Sequence, residues 1–141
     1  MSEVKNSGRI KAREAALMFL YQDYFNKTDY LDQLVMFRSD DEIAQMVDGD
    51  IEYFKLITKG VIEKKDELIS KFAPYLKKWT PDRLPVLDRI ILEIAVYEIM
   101  FVDSVHTSVA INEAVRLAKK YGTDNSSSYI NGVLSSFEKD Q

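Results

Sequence analysis

Residues 87–99 read LDRIILEIAVYEI, and the apolar side chains of this stretch recur with the period of an α-helix. One apolar stripe has the helical offsets 0, 3, 4, 7 and 8, and Leu92, Val96 and Ile99 form a second apolar face. A helix that is apolar on nearly all sides is buried within its domain. We therefore predict that this stretch is the central helix of a helical domain. The first stripe consists of Leu87, Ile90, Ile91, Ile94 and Ala95.

The same helical spacing recurs on both sides of the central stretch. Residues 12–20 carry a stripe that predicts a helix from near Arg9 to Phe25, and the patterns of residues 111–118 and 130–137 predict two later helices. A shorter apolar pattern at 31–35 predicts a short second helix, and one at 43–47 predicts a short turn or helix. No segment alternates with a period of two over the length of a strand. The sequence therefore predicts an all-α fold, a single helical bundle of about six or seven helices.

Several residues mark predicted helix boundaries. Asp50 is a suitable N-cap for the long helix that follows it, and Pro74 is expected to end or kink that helix. Thr80 and Pro81 predict that a new helix begins there, because threonine caps helices and proline suits the first helical position. Asp124 is expected to cap the last helix, with the serines at 126–128 forming its polar first turn.

Composition narrows the class of protein. A length of 141 residues favours one domain, and we assign residues 1–141 to it. The absence of cysteine excludes disulfides, and no apolar run is long enough to span a membrane, so we expect a cytoplasmic protein. His106 is the single histidine, which leaves no histidine ligand set and no Glu-x-x-His motif. We expect no cofactor, no metal and no enzymatic activity.

Charge is distributed unevenly along the chain, whose net charge is −4. Residues 29–52 carry eight acids against one base, a net −7, and the rest beyond residue 13 is balanced. A basic end on an acidic body can bind a polyanion in one orientation, although both segments could equally be ordinary solvated surface. The first 13 residues carry +3, from Lys5, Arg9, Lys11 and Arg13 against Glu3.

Three stretches carry a family resemblance. They are KAREAALMFLYQ at 11–22, LDRIILEIAVYE at 87–98, and VAINEAVRLAKKYG at 109–122 with its continuation SSSYINGVL at 126–134. In this order they resemble the NusB family of bacterial transcription antitermination factors, whereas residues 27–55 are not diagnostic. The resemblance implies an all-α fold made of two small helical subdomains.

The resemblance also implies a function. It implies binding of boxA-type single-stranded RNA jointly with NusE, a protein of the small ribosomal subunit. The complex would help RNA polymerase to resist termination, notably on ribosomal RNA operons. A homodimer remains open, because some relatives self-associate through the RNA face. Domains of this kind also occur fused to ribosomal-RNA cytosine methyltransferases, and that alternative would place the catalytic domain on a separate polypeptide.

The expected RNA contacts are cations for phosphates and flat side chains for unstacked bases. Tyr21 and Tyr129 match family positions that meet RNA, and Tyr21 would lie roughly 12 Å along the helix from the arginine two turns before it. From periodicity alone both tyrosines could instead be half-buried core residues with wet hydroxyls. Asp88 and Asn125 match positions near the partner-facing surface, although Asp88 could also be a plain surface acid. The expected cations are Lys5, in a flexible basic arm at 1–8, and Arg9, Lys11 and Arg13.

The chain departs from the family pattern in two respects. Ser7 and Ile10 interrupt the basic run at the start of the chain, so binding of RNA alone should be weaker and reliance on the partner greater. A protein–protein adaptor with little RNA binding of its own is the alternative that this thinning suggests. Glu93 stands where an arginine is common, which could alter either a local ion pair or the surface charge.

Overall fold

A computed structural model describes the backbone of residues 2–27, 29–38 and 48–141, and the side chains of 9–27, 29–35 and 49–141. These residues form helices and contain no strand, which confirms the predicted all-α class. No helix in the described ranges has both the length and the apolarity needed to cross a membrane. The elements are α1 (Ser2–Asn26), α2 (Tyr30–Arg38), α3 (Asp48–Phe72), a 3-10 helix (Ala73–Tyr75), α4 (Val86–Phe101), α5 (Thr107–Tyr121) and α6 (Ser126–Lys139).

The chain divides into two compact units, the first of which is Met1–Lys59. Phe19 of α1 is its central ring: Tyr30 of α2 lies 5.3 Å from it and Phe54 of α3 lies 5.5 Å from it, both edge to face. Gln33 Nε2 donates to the Phe19 carbonyl at 2.9 Å, and the hydroxyls of Tyr30 and Thr58 are 2.9 Å apart. Aromatic packing and hydrogen bonds thus join α1, α2 and α3 in the part of this unit that the structure describes.

The second unit is Gly60–Gln141 and is built around α4. Every residue from 88 to 98 is buried, and α5 and α6 pack on α4, which confirms the predicted central helix. The ring of Tyr97 lies so close to the backbone of Gly60 that a Cβ at position 60 would overlap it, so this position requires glycine. The end of α3 at Phe72, shortly before Pro74, was also predicted.

Three predicted boundaries are wrong. Thr80 and Pro81 begin no helix: the Thr80 carbonyl accepts from the N–H groups of Arg83 and Leu84 and closes a turn, so α4 begins only at Val86. Asp50 lies inside α3, which begins at Asp48 and therefore needs no cap at that position. Asp124 does not cap α6, whose N-cap residue is Asn125.

The structure describes the start of the chain and the segment around residues 43–47 only in part. The first helix extends to Ser2, seven residues before the predicted start near Arg9, so the backbone of the predicted arm continues α1. The side chain of Lys5 lies outside the described residues. The predicted short helix or turn at 43–47 also lies outside them.

A charged pair is buried inside α4. Arg89 Nε lies 3.2 Å from Glu93 Oε2, and both side chains are almost fully covered. Glu93 therefore faces Arg89 inside the unit and contributes little to the surface charge. Burial raises the pKa of Glu93 to about 7, although the positive charges of Arg89 and Lys65 act in the opposite direction.

Candidate functional site

Two of the predicted cations in α1 pack against an aromatic ring. The guanidinium carbon of Arg9 lies 4.4 Å from the ring centroid of Tyr53, and that of Arg13 lies 5.7 Å from it. Both distances are within the range of cation–π attraction. Arg13 is only 2% exposed, whereas Arg9 is partly exposed and Lys11 is exposed. Of the predicted cations whose side chains the structure describes, Arg9 and Lys11 are therefore the two that can meet a ligand from solvent.

Arg9 also borders a shallow cavity of about 330 Å³ at the start of α3. Asp50 and Glu52 line the same cavity, together with Gly49 and Leu56. Two carboxylates beside one guanidinium make the local charge mixed. A phosphate at this point would meet attraction and repulsion together, so this cavity alone is a poor anion site.

Tyr21 belongs to a cluster of three rings at the end of α1. Its ring lies 4.9 Å from that of Phe25, and Phe25 lies 5.0 Å from Tyr24, both edge to face. Tyr21 is half-buried, whereas Phe25 is 59% exposed. The structure therefore places Tyr21 beside an exposed phenylalanine that the sequence pattern did not single out.

The second unit contains a larger groove, of about 600 Å³, which we call the α4–α6 groove. It lies where the segment before α4, the start of α4, the α5–α6 turn and one face of α6 meet. Three of the predicted site residues, Asp88, Asn125 and Tyr129, line it together. Its volume is in the usual range for pockets that bind small molecules. The other lining residues include Tyr75, Lys77, Lys78, Trp79, Ser126 and Gly132.

Asp88 forms a fixed polar group in this groove. The residue is 6% exposed, so it is not a plain surface acid. Burial raises its pKa, and a hydrogen bond from the Ser126 hydroxyl has the opposite effect. The same hydroxyl oxygen accepts from the Thr123 N–H at 3.0 Å. Gly122 leaves space for this arrangement, because a Cβ there would lie 2.7 Å from Ser126 Oγ.

Tyr129 presents its ring to the groove and keeps its hydroxyl inside. The hydroxyl oxygen is buried, so the wet hydroxyl considered from the sequence is absent. Burial raises the pKa of this phenol, and the negative charge of Asp88 adds to that increase, whereas the backbone of Lys77 lowers it. The residue as a whole remains partly accessible.

The groove also contains three residues that the sequence reasoning missed. Lys77 and Lys78 are exposed, and Trp79 is 44% exposed. The available signal was the tripeptide itself, two cations next to an aromatic residue, but it belongs to no helical stripe. The tripeptide can be recognised as part of a site only in the folded chain, where it lines the same groove as Tyr129. Within the described residues, no group of histidine and acidic side chains could hold a metal ion.

Comparison with known proteins identifies relatives over most of the chain. The family model of the NusB family matches residues 10–139. The chain is similar to the transcription antitermination protein NusB of Clostridium novyi, with 37% identity over 131 residues, 93% of this chain and 98% of that protein. It also resembles the solved structure of T. maritima NusB, with a TM-score of 0.84 and 31% identity over 94% of this chain and 92% of that one.

A second similar structure contains the antitermination factors NusB and NusE in complex with double-stranded RNA. The TM-score is 0.84 at 24% identity, over 96% of this chain and 98% of that one. At this identity the likeness establishes a shared fold.

Proposed function

The chain belongs to the NusB family, and on that premise we propose that it is a transcription antitermination factor. In this proposal it binds single-stranded RNA of the boxA type together with NusE. It acts in the cytoplasm within the RNA polymerase antitermination complex, supports transcription of ribosomal RNA operons and catalyses no reaction. A structural relative that contains NusE and double-stranded RNA supports NusE and an RNA as partners, whereas the single-stranded form of the RNA is part of the proposal.

The observation that carries this proposal is the composition of the α4–α6 groove. A single strand is bound by cations that meet phosphates and by flat side chains that stack on bases. Lys77 and Lys78 provide exposed ammonium groups, and Trp79 and Tyr129 provide rings in the same groove. The Asp88 carboxylate supplies a fixed acceptor for a base edge. One unstacked nucleotide therefore has partners here for its phosphate and for its base.

Helix α1 supplies fewer accessible cations for RNA than the sequence predicted. Arg9 and Lys11 are accessible and suit phosphate contacts, whereas the burial of Arg13 against Tyr53 suits a role in packing α1 against α3. RNA contacts by Lys5 and Tyr21 stay predictions. Asn125 lines the groove, and its role toward NusE also stays a prediction.

A titration of boxA-like and scrambled single-stranded RNA, with and without NusE, tests this function. With about four phosphate contacts, the slope of log K against log salt should be about −3. Binding should be tighter for the boxA-like strand and tighter again with NusE. A slope near zero, or equal binding of both strands in the presence of NusE, would contradict the proposal.

The adaptor function remains a second candidate because of one observation. Arg13 is buried, which removes one of the predicted cations from the accessible surface. An adaptor would bind NusE tightly, and the complex would show no gain in RNA affinity over NusE alone. The same titration therefore separates the two functions.

A further inference from the structure

A third aromatic ring lines the α4–α6 groove, at the 3-10 helix. Tyr75 is partly exposed and lines the same groove as Trp79 and Tyr129. The Tyr75 ring lies 6.0 Å from the ring of Phe137, edge to face, and Phe137 is almost fully buried. The Tyr75 ring therefore packs against the core of the second unit and is still partly accessible from solvent.

Helix α6 sets the distance between Tyr129 and Tyr75. Tyr129, Gly132 and Val133 line the groove from one face of this helix. Phe137 and Asp140, which both contact Tyr75, follow Tyr129 by eight and eleven residues. These spacings correspond to about 12 Å and about 16 Å along the helix axis. Tyr75 and Tyr129 therefore lie toward opposite ends of α6, and the two rings suit two successive bases rather than one.

The polar end of Tyr75 is fixed by the end of the chain. Its hydroxyl donates to Asp140 Oδ2 at 2.6 Å, the short distance expected for a hydroxyl that meets a carboxylate. Asp140 is the residue that follows α6, and its backbone N–H donates to the Phe137 carbonyl at 3.3 Å. Contacts to Phe137 and Asp140 thus restrain both the ring and the hydroxyl of Tyr75. A ring that is restrained before binding loses little conformational freedom when a base stacks on it.

The charge of Asp140 acts against RNA binding, whereas its hydrogen bond favours it. A carboxylate beside a groove for RNA repels the phosphates, so charge alone predicts weaker binding in its presence. The residue is exposed, so its side chain is not part of the hydrophobic core. A role in positioning Tyr75 and a role as a surface charge therefore predict opposite effects when Asp140 is replaced.

We propose that the α4–α6 groove holds two successive bases of the strand, one at Tyr129 and the next on the ring of Tyr75, and that Asp140 is the positioning residue for this second ring. The inference rests on the proposed function, which supplies single-stranded RNA as the ligand. Tyr75 stacks on the base, and Asp140 acts only through Tyr75.

The test measures the affinity of the full-length chain for labelled boxA-like single-stranded RNA by fluorescence anisotropy, with and without NusE. Tyr75→Leu removes the stacking ring and should raise the Kd about fivefold or more. Asp140→Ala keeps the ring but frees it, and should raise the Kd about two- to tenfold, because the freed side chain must be ordered when a base stacks. Tyr75→Phe removes the same hydrogen bond from the other side and should have an effect similar to that of Asp140→Ala.

Three further variants separate positioning from charge. Asp140→Asn keeps an oxygen that can accept from the Tyr75 hydroxyl and removes the charge, so it should bind RNA at least as tightly as the wild type. Glu138→Ala removes an exposed acid two residues earlier and is the matched control for the loss of charge, with an unchanged or slightly lower Kd. In the Tyr75→Phe background, Asp140→Ala should cause no further loss, because the bond is already absent.

The outcomes separate this inference from the proposed function. A wild-type chain that binds no boxA-like RNA in either condition would overturn both. A wild-type chain that binds, with Tyr75→Leu binding equally well, would overturn the second base site and leave the function standing. Asp140→Ala that binds RNA as tightly as the wild type, or more tightly, would overturn the positioning role, whatever its thermal midpoint. If thermal unfolding shows that Tyr75→Leu is not folded, Tyr75→Phe and Asp140→Ala decide the result, since both retain the ring.

Discussion

Replacing Gly132 with leucine is expected to weaken RNA binding about tenfold or more while the fold stays intact. Gly132 lies in α6 and lines the α4–α6 groove, and a Cβ at this position would have no neighbour within 4 Å. A leucine side chain therefore enters the space that a base would occupy. Loss of one base stack, commonly about 1–3 kcal/mol, corresponds to roughly a five- to 150-fold loss of affinity.

Gly132→Ala is the matched control for this experiment. Both variants replace a helical glycine, which should stabilise α6 by up to about 1 kcal/mol, but alanine leaves most of the groove open. Fluorescence anisotropy with labelled RNA measures the affinity, and thermal unfolding measures the stability. Equal RNA affinity in the leucine variant, the alanine variant and the wild type would show that the groove holds no base.

Replacing Glu93 with glutamine is expected to stabilise the protein increasingly as the pH rises from about 4.5 to about 7. The carboxyl titrates near 4.5 in the unfolded chain and at about 7 in the folded one. Between these values unfolding releases a proton, so the wild type loses stability as the pH rises, and the loss is complete above pH 7. Glutamine does not ionise. The difference in unfolding free energy should therefore change by roughly 3 kcal/mol across this window.

Denaturant unfolding at several pH values measures this difference. Glu113→Gln is a suitable control, because Glu113 pairs with Arg116 at 3.1 Å and that pair is more exposed than the one in α4. The Glu113→Gln variant shows what the loss of a glutamate–arginine pair does when the pair is less buried. A constant difference between Glu93→Gln and the wild type from pH 4.5 to 7.5 would contradict the raised pKa.

Periodicity predicted the fold well where burial decides the structure. The central helix follows from the apolar residues of 87–99, since a sequence that is apolar on all sides can only be buried. The predicted start of that helix was wrong, because Thr80 and Pro81 suit a turn as well as a helix N-terminus. In the structure, hydrogen bonds to the Thr80 carbonyl close a turn at this point. The local sequence does not show whether these bonds or those of a helix will form.

The candidate site was predictable only in part, for a different reason. Family motifs marked Asp88, Asn125 and Tyr129, and the structure brings these three together. Trp79 and its neighbouring lysines carry no periodic signal, because their position depends on how the segment before α4 packs against α6. The burial of Arg13 is likewise a property of the folded unit, since a basic residue in a helix is usually at the surface.

The fluorescence of Trp79 tests the central claim most directly. It is the single tryptophan of the chain, it is 44% exposed, and it lines the proposed base site. Titration with boxA-like single-stranded RNA should quench this emission to saturation, with the same Kd as anisotropy of the labelled strand. Anisotropy that shows specific binding while the tryptophan emission stays unchanged would place the RNA elsewhere and contradict the account.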